Sequence, residues 1–212
     1  MKHKLIYSCL ILLVIAGFAA CRNTIQPDSS ISAQYFPNKV GDSWTYMVDD
    51  TVGENLQVSI IGSTSLPDGI PVSIWKWVWP GNMNPKVFGT DTTYVVISGD
   101  TVEISSPINP KRYPPKSIKD LPIRYKYIFP LETGNNWIHD ADSSRVVSKD
   151  SLTVPAGMFN GVYKIHTHGF SFNYRLDRDI WFKPGVGLVK MNQILILGDF
   201  NGSLKLVDYH VK

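Results

Sequence analysis

Few side chains in this sequence could do chemistry, and their spacing limits which chemistry. His166 and His168 stand two apart. In a strand that spacing puts both imidazoles on one face. Two nitrogens alone do not make a zinc site, which takes three or four protein ligands, and no cysteine or carboxylate stands at suitable local spacing. Asp140 with Asp142, and Asp177 with Asp179, have D-x-D spacing. Each pair lacks the further oxygens of a calcium loop, so solvated strand ends are the expectation. Gly185-Val186-Gly187 lacks the third glycine of a dinucleotide loop and leads into a strand, where a turn is expected. H-E-x-x-H and G-x-S-x-G are both absent from the sequence. A nucleophile assembled from distant residues stays open, because triads are defined in space. The expectation is a non-catalytic protein with no metal and no cofactor.

Trp75, Trp77 and Trp79 are the candidate ligand-binding residues. They alternate with Lys76 and Val78 in a run that reads as a strand. Period two then lines three indoles along one face. Such a stripe could hold an apolar or amphiphilic ligand. It could equally face the core, as aromatic rows in sheets usually do. The second reading has the stronger general support.

The start of the chain carries an address. Lys2 and Lys4 precede the apolar run Leu5 to Phe18, and Ala19-Ala20 stand directly before Cys21. A charged n-region, an apolar core of roughly 7–15 residues and a small-residue cleavage site define a secretory signal. A spanning helix would need about 20 apolar residues, and Tyr7, Ser8 and Cys9 dilute this run. Phe18-Ala19-Ala20-Cys21 resembles the lipobox of bacterial lipoproteins, with Phe18 where leucine is usual. The resemblance implies cleavage before Cys21 and acyl chains, palmitate among them, on Cys21. Two or more chains hold a protein firmly to a membrane, at about 0.8 kcal/mol per buried methylene.

The domains then fall as a signal at 1–20, a flexible tether at 21–34 and one β-rich domain at 35–212. The tether, RNTIQPDSSISAQ after the cysteine, is polar and aperiodic. Thirteen such residues span about 20 Å root-mean-square. Asp28 is its one acidic residue, so it lacks the acidic cluster of surface-exported lipoproteins, and the expected place is the outer membrane, facing the periplasm. Removing Lys2 and Lys4 from a net charge of +3 leaves +1. That balance argues against nucleic acid, which needs a concentrated basic footprint. With Cys9 discarded and Cys21 acylated, no internal disulfide remains, and packing must supply stability.

The domain reads as short strands separated by turn residues. Gly99-Asp100 and Asn201-Gly202 mark hairpins. Pro184-Gly185 fits the centre of a type II turn. Residues 107–122 contain five prolines with four basic side chains and exclude a central strand. They read as a solvated connection, or as a loop that attracts anionic headgroups. The pattern F-P-x-x-x-G-[DN]-x-W occurs at Phe36–Trp44 and again at Phe129–Trp137, 93 residues later. A duplicated recognition loop or a repeated lead-in to a strand would each explain it, and the turn residues suit the second. The copies suggest two related halves, about 35–127 and 128–212. The fold class expected is all-β: an antiparallel curved sheet, open barrel or sandwich.

Val154-Pro155-Ala156-Gly157-Met158-Phe159, Trp181…Pro184-Gly185-Val186-Gly187 and the opening Phe36-Pro37…Gly41…Trp44 resemble uncharacterised β-rich bacterial envelope lipoproteins. The likeness spans most of residues 35 to 190. It implies a periplasm-facing antiparallel sheet and brings no catalytic residues.

Overall fold

A computed structural model describes residues 31–49, 54–81, 92–105, 117, 123–171, 174–196 and 200–212. The export signal, Cys21 and the tether to residue 30 lie outside the described residues. So do residues 107–116 and 118–122 of the proline-rich stretch. Among the described residues, one helical turn, α1 (Ile31–Tyr35), precedes twelve strands. Also among them, no helix is long and apolar enough to cross a membrane.

The strands are β1 (Ser43–Val48), β2 (Asn55–Ser65), β3 (Pro71–Val78), β4 (Thr92–Ser98), β5 (Thr101–Ser105) and β6 (Ile123–Ile128), then β7 (Asn136–His139), β8 (Asp142–Val154), β9 (Gly157–Ser171), β10 (Tyr174–Lys183), β11 (Gly187–Ile196) and β12 (Phe200–His210). They form one antiparallel sheet in the order β6-β5-β4-β3-β2-β1-β12-β11-β10-β9-β8-β7. Each half of the chain is a six-stranded meander, and β1 pairs with β12 to join them. The sheet curls into a nearly closed barrel. Its two edges, β6 and β7, are consecutive in sequence yet do not pair with each other.

Alternation builds this surface. In β1 the side chains of Trp44, Tyr46 and Val48 are buried and those between them are half-exposed. One inward apolar face per strand fixes the register, because a one-residue slip would turn it out to solvent. Register shifts at Thr45/Tyr46, Ile60/Gly62, Val146/Ser148 and Asp150/Leu152 supply the extra bend that curling requires.

The core is aromatic, and Phe36 sits in it. Its ring stacks on Phe182 (5.9 Å, 9°) and lies 5.7 Å from Trp75, 6.3 Å from Tyr127 and 6.4 Å from Phe129. Ile31 to Gln34, which the sequence assigns to the tether, are wound into α1 and docked at one barrel end. Ser32 donates its hydroxyl to Gly99 O (2.6 Å), Phe36 N–H donates to Ser32 O (2.8 Å), and Gly185 N–H donates to Tyr35 O (2.8 Å). These bonds, and the burial of Ser32, order a segment whose polar composition resembles a linker.

The two F-P-x-x-x-G-[DN]-x-W copies adopt the same turn. Gly41 N–H donates to Ile60 O and Ile60 N–H to Asp42 O, each at 2.9 Å. Gly134 N–H donates to Val146 O and Val146 N–H to Asn135 O, again at 2.9 Å. Both glycines take positive φ, 94° and 98°, which side chains rarely adopt. The following tryptophans, Trp44 and Trp137, are buried in the same core. The Phe129–Pro130 peptide is cis.

The Gly99-Asp100 hairpin forms as read, joining β4 to β5. Val186 N–H donates to Lys183 O (3.0 Å) around Pro184-Gly185, with Gly185 at φ 76°, as a type II turn requires. Asn201-Gly202 is different. Both residues lie inside β12, opposite Ile194 and Gln193 of β11. The hairpin exists, but its register follows the buried Leu204 and Leu206 rather than the strongest local turn signal.

Candidate functional site

Trp75, Trp77 and Trp79 follow the core side of the sheet. Trp75 is 7% exposed. It stacks on Trp44 (5.0 Å, 13°) and donates its indole N–H to Asn38 Oδ1 (3.1 Å). Trp77 and Trp79 are partly buried and pack against the same core. They stack on each other (6.5 Å, 17°), and Trp77 donates to Thr93 Oγ1 (2.9 Å).

Polar chemistry gathers instead at the open seam of the barrel. A small, partly open cleft is lined by side chains of β6 to β10. Its volume is about 10 Å³. That is room for roughly one water. Pairing register assembles it. Trp137, Ser144, Thr167 and Arg178 lie opposite one another across β7, β8, β9 and β10 in one inward row. Trp137 reaches over the seam and donates its indole N–H to Lys126 O of β6 (2.8 Å). Ser144 and Thr167 share a hydrogen bond between their hydroxyls (2.9 Å). Arg178 is 6% exposed. Its guanidinium lies 4.3 Å over the Tyr125 ring, so it too bridges the seam.

Arg178 Nε is buried and has no hydrogen-bond partner among the described residues. The nearby carboxylate, Asp142, does not supply one. Its Oδ1 is likewise buried without a partner. It lies where a side chain on Gly169 would stand. Burial raises the Asp142 carboxyl above its ordinary value, and the charges of Arg178 and His139 and the N–H of Phe170 offset this only in part. Burial also pushes the Tyr127 phenol up, with Arg178 pulling back. Tyr127 is therefore neutral at physiological pH.

A second polar group lies on the outer face. His166 Nδ1 bonds Asp179 Oδ1 (2.9 Å), and Lys164 Nζ pairs with Asp179 Oδ2 (2.9 Å). A carboxylate only accepts, so Nδ1 carries the proton. Burial alone would raise Asp179, but the bonds and charges of Lys164 and His166 outweigh it and hold the carboxyl below its usual range. Asp177 and Asp179 thus stand within β10 rather than at a strand end. The carboxylates that local spacing does not reveal beside His166 come from the neighbouring strand. Among the described residues no three His, Cys, Asp or Glu side chains form a group able to hold a metal. Lys164 and Lys190 both lie over the Trp181 ring, at 5.1 and 4.5 Å.

Sequence reasoning missed Arg178, Ser144 and Thr167. The alternation of β10 places Leu176, Arg178 and Ile180 on one buried face. An arginine in an otherwise apolar inward series was the available signal.

No family model matches this chain. No curated protein matches it either. It is similar to the crystal structure of an inferred exported protein with a YmcC-like fold from Bacteroides fragilis (TM-score 0.51, 13% identity, 83% of this chain and 98% of that one). A second similar structure is an inferred lipoprotein from Parabacteroides distasonis (TM-score 0.47, 15% identity, 84% of this chain and 99% of that one). At such identity the first likeness concerns the fold alone.

Proposed function

We propose that this chain is an exported cell-envelope protein, anchored through acylated Cys21 to the outer membrane and facing the periplasm. Its barrel-like domain is a non-catalytic module that contacts other envelope components. The observation that carries this reading is the occupied interior. Phe36, Trp44, Trp75, Tyr127, Phe129 and Phe182 pack on one another where a barrel carrier would hold its ligand. The lipobox-like Phe18 to Cys21 supports the address, and so does the export inferred for the Bacteroides fragilis protein of similar fold.

Two measurements test it. Cys21→Ser should move the protein from the membrane to the soluble fraction, and a variant that still pellets with membranes overturns the anchor. Native mass spectrometry after exposure to an envelope lipid extract should return the mass of the protein alone. A discrete added mass removed by organic extraction would favour a carrier of an apolar or amphiphilic ligand. The partly exposed stacked pair Trp77 and Trp79 supports that second reading. Under it, replacing both by alanine should abolish uptake.

A further inference from the structure

We propose that the seam cleft is a binding site for one carboxylate group, with Arg178 as its anchor. The internal repeat makes the seam unusual. At one junction between the halves, β1 and β12 pair along their backbones. At the other, β6 and β7 do not pair, and side chains span the gap. The cleft lies in that gap.

Two of its donors are uncommitted. Trp137 Nε1 is committed to Lys126 O. Arg178 Nε–H is uncommitted. Ser144 and Thr167 have two hydroxyl protons between them, and their mutual bond uses one. The other can point into the cleft. Two donors thus face one water-sized space and call for an acceptor oxygen. A buried guanidinium favours a charged acceptor, since buried charge is costly until paired and charge-assisted bonds are the stronger ones. Asp142 does not fill this role: it makes no ion pair with Arg178 within 4.0 Å, and its Oδ1 is turned toward Gly169. About 10 Å³ has room for one acceptor oxygen, such as one oxygen of a planar carboxylate. Tyr125, Trp137 and Ile180 wall the cleft, so the group next to the carboxylate meets apolar surface.

The test uses full-length 15N-labelled protein and follows the Arg178 Nε–H resonance, assigned through bonds. Titration with formate should move it saturably, while formamide, similar in size but uncharged, should not. N-acetylglycine is added in parallel. Tighter binding of it than of formate assigns the site to the carboxylate end of a longer molecule, and equal binding assigns it to a free small carboxylate. Ser144→Ala combined with Thr167→Val, which removes both hydroxyls and with them the free proton, should weaken formate binding by about tenfold or more. No saturable movement with formate, an equal response to formamide, or unchanged affinity in that double variant overturns the proposal. The wild-type titration stands whether or not a variant folds.

Discussion

At the scale of single residues, close approach and ion pairing set what the sheet tolerates. Gly169 lies on the inward face of β9, two residues from Thr167 and opposite Leu176, beside the β7–β8 turn. A Cβ there would stand 2.6 Å from Ala141 O and 2.7 Å from Asp142 Cα, and would collide with Asp142 Oδ1. Backbone atoms cannot step aside as a side-chain tip can. Gly169→Ala should therefore cost about 1–3 kcal/mol in chemical denaturation, the range for overpacking. Asp179 gives a pH-dependent counterpart. Its folded carboxyl is held below the ordinary value by Lys164 and His166. A depressed carboxyl contributes stability above its unfolded pKa and loses it as pH falls through the folded one. Asp179→Asn should be less stable than the wild type at neutral pH, by up to about 1 kcal/mol for a half-exposed pair. The gap should close as denaturation is repeated at falling pH. A gap that widens in acid would contradict this assignment.

Elements differ in how firmly they are held. β1 is paired on both sides, to β2 and β12. β7 is four residues long and, among the described residues, pairs with β8 alone. Trp137 compensates with a side-chain bond across the seam. Native-state hydrogen exchange should show the amides of β7 exchanging well before those of β1, because locally less supported elements open at lower free energy. Trp137→Phe keeps most of the ring and removes the bond to Lys126 O. It should cost about 1 kcal/mol and speed exchange in β6 and β7, leaving β1 and β12 unchanged. Equal acceleration throughout would mean that the seam opens only with the whole barrel. The same scale explains which elements could be read beforehand. β1 to β5 have alternating apolar residues, and short turns join β2 to β3 and β4 to β5. The β11–β12 turn was misplaced because Asn201-Gly202 has strong local turn chemistry, while the inward Leu204 and Leu206 settle the pairing.

The whole molecule is joined by its aromatic centre. Phe36 touches Trp75 and Tyr127 from the first meander, Phe129 from the β6–β7 link and Phe182 from the second meander. Trp44 and Tyr46 of β1 donate across the barrel to Val186 O (2.6 Å) and Leu188 O (3.0 Å). Two related halves that share such contacts should unfold together. Far-ultraviolet dichroism and tryptophan fluorescence should report one coincident transition. Phe36→Ala should lower its free energy by about 3–5 kcal/mol, the usual cost of a large aromatic truncation. Two separated transitions would make the halves independent. The topology also separates the two ends of the sheet: α1 docks at the end carrying Gly99 and Gly185, whereas His139 and Asp142 flank the β7–β8 turn at the opposite strand ends.

By itself the sequence determined the strand-rich class, the repeat and most turns. These follow from local physics: alternation with period two, proline-fixed dihedrals and glycines at positive φ. It also determined that the Trp75, Trp77 and Trp79 side chains share a face. Only the tertiary structure decided that this face is the core side, that β1 closes on β12 while β6 and β7 stay apart, and that Arg178 faces inward beside Ser144 and Thr167. Those outcomes depend on pairing between residues far apart in the chain, such as Ser144 with Thr167 and Trp44 with Tyr209. No local pattern encodes them, because register is set by the whole inward surface packing at once.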